Sequence, residues 1–247
     1  MEMISYDRAW YEYYDCSPHI DEAKKYLEYA AALDLVRDLP HCGASLDIGT
    51  ATGRYMMTFS RFGYLAYGID ISPEAIGITR RNLENCGIDC SRVHQMDAQN
   101  LDFPDARFRL VSCMMGTLSH IARPDLALAE IHRVLCPGGV VLLSNWQPQA
   151  LDVDFLTVNT DEHNSYLLEK SLGLEEAVRL ITNAGLVLER YAYAVLLPTA
   201  AIHHLIDSCS GDPAGYLQRL SLVEVQLRQF FPLLRGQILI LIARNTR

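Results

Sequence analysis

Short apolar runs alternate along the chain with amphipathic stretches, and glycine, proline and small polar residues punctuate the joins. That pattern predicts strands alternating with helices, hence a mainly parallel sheet covered on both faces. Ser17-Pro18, followed by Asp21 and Glu22, reads as a cap and first turn, with a helix running to about Leu39. Strands are predicted at 44–49, at 64–71 (Y-L-A-Y-G-I-D-I), near 93–97 and near 108–115. Ser72-Pro73 opens a helix that Gly87 ends. A helix over about 124–135 stops before Pro137-Gly138-Gly139, and Val140 to Ser144 is a continuous apolar fifth strand.

The second part of the chain is less regular. Residues 146–170 form a polar connection, and a helix near 174–184 leads through Gly185 into a strand near 186–195. A largely helical insertion at 198–235, broken at Gly211-Asp212-Pro213, precedes a last strand from Gln237 to Ala243. Its apolar stripe (Leu217, Leu220, Val223, Leu227, Phe230, Phe231) is expected in the core. With no repeat, low-complexity tract or clear linker, residues 1–247 read as a single domain: 1–40 an N-terminal lid and helix, 41–145 the ligand-binding core, 146–172 and 198–235 the substrate-side segments.

Composition narrows the function. Half of the 247 residues are hydrophobic, so a large core is available, yet no run approaches the roughly 18 apolar residues of a membrane helix. The first residues lack the basic and apolar regions of a signal peptide. A net charge of −9 disfavours a nucleic-acid partner. Seven cysteines without a C-x-x-C pair fit free thiols in a reducing cytoplasm.

The stretch L-D-I-G-T-A-T-G-R-Y at 46–55 is built for close approach of a ligand to backbone. It lacks the Lys-Ser/Thr of a phosphate-cradling loop, and its glycines at 49 and 53 fit the dinucleotide spacing poorly. Asp47, two residues before the first glycine, can accept hydrogen bonds from a ligand ammonium. Asp70, at the end of the second strand, can take both hydroxyls of a ribose. Together they describe a nucleoside with a positively charged amino-acid tail.

D-I-G-T-A-T-G at 47–53, Y-G-I-D-I-S at 67–72 and H-Q-M-D-A-Q-N-L-D-F-P-D-A-R-F at 94–108 are followed by V-S-C-M-M-G-T-L-S-H-I at 111–121 and L-A-E-I-H-R-V-L-C-P-G-G-V-V-L-L-S at 128–144. In that order the chain resembles the class I S-adenosylmethionine-dependent methyltransferases of small-molecule type. The resemblance implies a doubly wound α/β fold: a mostly parallel seven-stranded sheet with its last strand antiparallel, an N-terminal aromatic lid and a helical insertion before the last strand. It also implies S-adenosylmethionine held by Asp47, Gly49, Thr50, Ala51, Gly53 and Met114, with Asp70 on the ribose, Ile71 against the adenine, and Asp97 and Ala98 at the adenine amino group. Ala51 stands where the family commonly has glycine, a mild change in side-chain volume. Arg109 stands where it usually has aspartate, and a local surface effect is expected.

Five aromatics lie in residues 6 to 14, and aromatic faces attract a sulfonium. Tyr6, Trp10 and Tyr14 are the lid residues expected over the cofactor. His120 is the candidate base, since it follows strand four at the sheet edge where ligands bind; Asn145 and Trp146 can face the substrate. His203-His204 with Asp207 offers no third ligand, and no metal is expected. The acceptor is expected to be a small molecule, methylated on N, O or C by in-line displacement, in secondary metabolism. Rivals are a reaction at another carbon of S-adenosylmethionine, releasing methylthioadenosine, and a non-catalytic binding module. The assembly is expected to be a monomer or homodimer.

Overall fold

In the computed structural model, residues 20–147, 171–197, 201–202, 204–205, 213–231 and 234–247 are described. Seven strands make one sheet: β1 (Ala44–Ile48), β2 (Leu65–Asp70), β3 (Val93–Gln95), β4 (Phe108–Cys113), β5 (Leu135–Trp146), β6 (Leu186–Ala194) and β7 (Ile238–Asn245), in the order β3-β2-β1-β4-β5-β7-β6. β1 to β5 are parallel, and β7 lies antiparallel to both β5 and β6. The chain winds outward from β1 to β3, then crosses back to β4. The join between β1 and β4 is therefore the switch point where open α/β sheets bind ligands.

Among the described residues, helices cover the sheet: α1 (Ile20–Val36), α2 (Arg54–Arg61), α3 (Pro73–Asn85), α4 (Thr117–His120), α5 (Pro124–Val134), α6 (Leu174–Asn183) and α7 (Pro213–Phe230). Alternation along the central strands feeds two cores. Val141, Leu143, Leu239 and Leu241 face α5 and α6, while Val140, Leu142, Ile238, Ile240 and Ile242 face Ala23, Leu27, Ala31 and Ala32 of α1. Burial on both faces explains the continuous apolar runs of β5 and β7. Ser72 caps α3 by accepting from the Ala75 amide at 3.2 Å, with Pro73 in the first turn.

Three expectations change. Strand five begins at Leu135, directly after α5, rather than at Val140: Leu135 pairs with Phe108, and Val140 with Leu110. Residues 136–139 therefore bulge opposite Arg109 alone, because Pro137 has no amide to donate and Gly138 takes a φ of 72°. The apolar stripe of the insertion is only partly in the core. Leu220 is buried, but Phe230 is 69% exposed and Phe231 60%, because the buried face is centred on Leu220 and Glu224. The Glu224 carboxylate accepts from the Leu196 amide, which turns that face inward, and Phe231 lies past the helix end. Finally, α2 and the single turn α4 form where no helix was expected.

Arg109 is exposed and lies over Gly43, where a Cβ would come within 2.9 Å of its Cγ, so its effect is local. The Ser17-Pro18 cap, the aromatic lid with Tyr6, Trp10 and Tyr14, the break at Gly211-Asp212, and His203 and Asp207 lie outside the described residues. Among the described residues no helix is long and apolar enough to cross a membrane.

Candidate functional site

The loop after β1 opens with Gly49 (φ 69°), and Ala51 and Gly53 follow at φ 49° and 86°. A Cβ on Gly49 would sit 2.4 Å from Thr117 Cγ2, so glycine is needed for the loops after β1 and β4 to meet. Ala51 fits by volume, but its backbone stays in the left-handed region, at a cost of about 1–2 kcal/mol for a residue with a Cβ. The replacement is thus mild in side chain and strained in backbone. Two bonds hold it there: its amide donates to Asp70 Oδ2 at 3.0 Å, and its carbonyl accepts from Thr79 Oγ1 at 2.8 Å. The Thr52 carbonyl accepts from Asn82 Nδ2 at 2.9 Å, so α3 fixes the loop.

Acids tip the strands of this half. Asp47, buried near the end of β1, accepts from Ser112 Oγ at 2.7 Å, and burial pushes its carboxyl up to about 6. The Asp70 carboxylate, closing β2, accepts from the amides of Ala51 and Ser72, each at 3.0 Å; burial raises it too. Each Asp70 oxygen keeps a further lone pair for a ligand hydroxyl. Next to it Ile71 leaves 42% of its surface exposed, a bare apolar platform beside a buried acid.

Asp97 accepts from the Gln99 backbone amide at 2.9 Å and from Gln99 Nε2 at 3.0 Å, the turn that loop aspartates form. Gln99 in turn accepts from the Arg123 amide. Ala98 is buried behind that turn.

On the other side of the switch point, Met114 is buried and Met115 (φ 58°) and Gly116 (φ 73°) are both left-handed. The Trp146 indole lies against Gly116, where a Cβ would be 2.5 Å from its Nε1. His120 ends α4, half-buried. Asn145 is buried, with its amide fully engaged: Oδ1 accepts from Ser119 Oγ at 2.6 Å, and Nδ2 donates to the carbonyls of Leu172 (3.2 Å) and Trp146 (3.3 Å). It ties β5 to α4 and to the chain at 172. The structure thus gathers Asp47, Gly49, Thr50, Ala51, Gly53, Asp70 and Ile71 around one loop; Met114 meets that loop through Thr117, whose Oγ1 donates to its carbonyl at 2.7 Å.

Sequence reasoning missed Glu28. On α1 it is wholly buried, and its Oε1 accepts from the Met115 amide at 2.9 Å, holding the strained loop after β4. Burial pushes its carboxyl up to about 7, against the Ser144 hydroxyl, the Met115 amide and the charge of Arg54. A signal existed: Glu28 falls within the apolar stripe Ala23, Leu27, Ala31, Ala32, Leu35, where a charge is out of place.

Acid-tipped strands, a loop of small residues and a bare apolar residue meet at the switch point, the edge where open α/β sheets bind ligands. A family model described as "Methyltransferase domain" matches residues 46–143. A phosphatidylethanolamine N-methyltransferase of Cereibacter sphaeroides is 34% identical over 104 residues, covering 42% of this chain and 50% of that protein. A demethylmenaquinone methyltransferase of Thermus thermophilus is 34% identical over 105 residues, covering 42% and 47%. The chain therefore spans about half the length of the curated relatives it matches. Among solved structures, the cyclase SpnF shares the fold with a TM-score of 0.58 at 22% identity, covering 85% of this chain and 78% of that one. Through residues 46–143 the chain is similar to methyltransferases.

Proposed function

We propose that the protein binds S-adenosylmethionine at the β1–β4 switch point and methylates a small molecule. The observation that carries this reading is Asp70 beside Ile71: a buried carboxylate with lone pairs to spare, next to an uncovered apolar side chain. That pairing fits a ribose joined to a base. The loop at 49–53 lets the rest of the molecule lie on backbone, and Asp47 and Glu28 supply negative charge for a cationic tail.

S-adenosylmethionine supplies an electrophilic methyl group on a positively charged sulfur. The chain supplies alignment and exclusion of water. An amine acceptor then needs only to be neutral and positioned, whereas a phenol or carbon acid also needs a base, for which His120 stands first. The relatives named for a phospholipid and a quinone support an acceptor with an apolar body, and the net charge of −9 argues against nucleic acid. A place in secondary metabolism is part of the same proposal.

Calorimetry with S-adenosylmethionine tests the binding; no heat with the native protein, and none gained or lost in Asp70→Ala, would falsify it. The by-product tests the chemistry in an acceptor screen. S-adenosylhomocysteine is expected, while methylthioadenosine would assign the protein to attack at another carbon.

A further inference from the structure

Among the described residues, Glu28 Oε2 and the Tyr55 hydroxyl are buried beside the switch point without a hydrogen-bond partner. They come from different elements, α1 and α2, and both residues are almost wholly enclosed. Glu28 and then Asp47 are the charges that most perturb Tyr55, so the three groups lie within electrostatic reach of one another. Glu28 Oε1 is already taken by the Met115 amide. A buried carboxylate oxygen or hydroxyl without a partner costs about 1–3 kcal/mol, which native proteins rarely leave uncompensated.

What could complete this pair is constrained by chemistry. A carboxylate can only accept, so Oε2 calls for a donor. The site is acidic on two sides, through Glu28 and Asp47, which favours a donor carrying positive charge. A hydrophobic partner would leave both atoms bare, and an anion would be repelled. A primary ammonium has the required chemistry, a positive charge and separate N–H groups for Glu28 Oε2 and the Tyr55 oxygen.

We infer that Glu28 and Tyr55 form a subsite for the ammonium group of the cofactor's amino-acid tail. This rests on the proposal that the cofactor is S-adenosylmethionine. Glu28 then does two things at once: one oxygen fixes the loop after β4 and the other reads the ligand.

Arg54 and Tyr55 face Glu28 from α2, with the Ser144 hydroxyl from β5. Lys24 and Lys25 share its helix. On α7, Arg228 lies 3.8 Å from Glu224, and on β6 Arg190 donates to the Leu35 carbonyl. A cation arriving at Oε2 favours the ionised carboxyl, so a group held near 7 releases a proton on binding at neutral pH.

The test compares two probes that share the nucleoside. S-adenosylhomocysteine carries the ammonium and methylthioadenosine lacks the whole tail. In Glu28→Gln, binding of S-adenosylhomocysteine should weaken by about 10- to 100-fold, as for loss of a charge-assisted hydrogen bond, with methylthioadenosine unchanged. Calorimetry in buffers of different ionisation enthalpy should show protons released on binding S-adenosylhomocysteine at pH 7 in the native protein, and none in the variant. Tyr55→Phe, which leaves the bond to Met115 alone, should weaken S-adenosylhomocysteine by a few-fold and serves if Glu28→Gln does not fold. Equal binding of S-adenosylhomocysteine by native protein and both variants overturns the subsite. Equal loss of both probes in Glu28→Gln, with Tyr55→Phe like the native protein, overturns it too and leaves Glu28 a purely structural tie. A native protein that binds neither probe instead overturns the cofactor itself.

Discussion

The two halves of the sheet meet the same edge with different chemistry. From β1 outward the strand ends carry Asp47, Asp70 and Asp97, whose partners are a serine hydroxyl and amides. From β4 outward the edge is Met114, Asn145 and Trp146, all packed or tied within the protein. Buried acids are unfavourable for the empty fold, and two of them are pushed to higher pKa by burial. Neutral, packed ends stabilise it. One half therefore carries the chemistry proposed for the ligand at some expense of stability, and the other supplies the stability.

Substitutions can break this contrast or sharpen it. The largest effect is expected on the packed side: Leu142→Ala, fully buried at the centre of β5, should destabilise the protein by about 2–5 kcal/mol. Denaturant unfolding would measure that loss, and nucleoside affinity under folding conditions should stay within about two-fold. Asp70→Asn should do the reverse. S-adenosylmethionine binding should weaken by about 10- to 100-fold, the loss of charge-assisted bonds to the ribose, with a smaller fall in melting temperature. If Asp70→Asn lowers stability and leaves affinity alone, its carboxylate is a backbone cap and the contrast fails.

Asp47 gives a smaller effect with a definite sign. Its carboxyl is raised from 3.8 to about 6, so the folded chain keeps a proton that the unfolded chain has released. Its contribution is full below about pH 4 and is lost as pH rises through about 6. Asp47→Asn should therefore flatten the fall in melting temperature between those values. Above pH 7 it should stabilise the ligand-free protein by on the order of 1–3 kcal/mol, as scanning calorimetry can show. The smallest change is Ala51→Gly. Relief of the left-handed strain and the greater freedom of unfolded glycine nearly offset each other, so stability should move by less than about 1 kcal/mol and affinity hardly at all.

The β1–β3 half was largely legible because its signals are local. Glycines that permit close approach, and acids one or two residues from a strand end, announce themselves within a few positions, as Asp47 and Asp70 do. Alternation and apolar runs placed all seven strands. What escaped was decided at a distance. Glu28 acts on Met115, which lies 87 residues away, and the reason it is buried is visible only once α1 covers the sheet. The early start of β5 depends on pairing with β4, while Pro137-Gly138-Gly139 looked like a boundary because a bulge and a turn use the same residues. Phe230 and Phe231 were misplaced because Glu224, a charged residue, anchors the buried face of α7.

The position of β7 also sets an order of assembly. β5 and β6 both leave the ribosome before β7, yet neither pairs with the other; each hydrogen-bonds to β7 along its length. Until residues 238–245 emerge, β5 offers an open edge of buried-type residues and β6 has no neighbour in the sheet. Parallel pairing of β1 to β4 can proceed in that interval, but the β6 side cannot lock. Contacts so distant in sequence slow folding and lengthen the time for which an unpaired edge is open to aggregation. The nascent chain is therefore most vulnerable just before β7 is made, after β1 to β4 are complete.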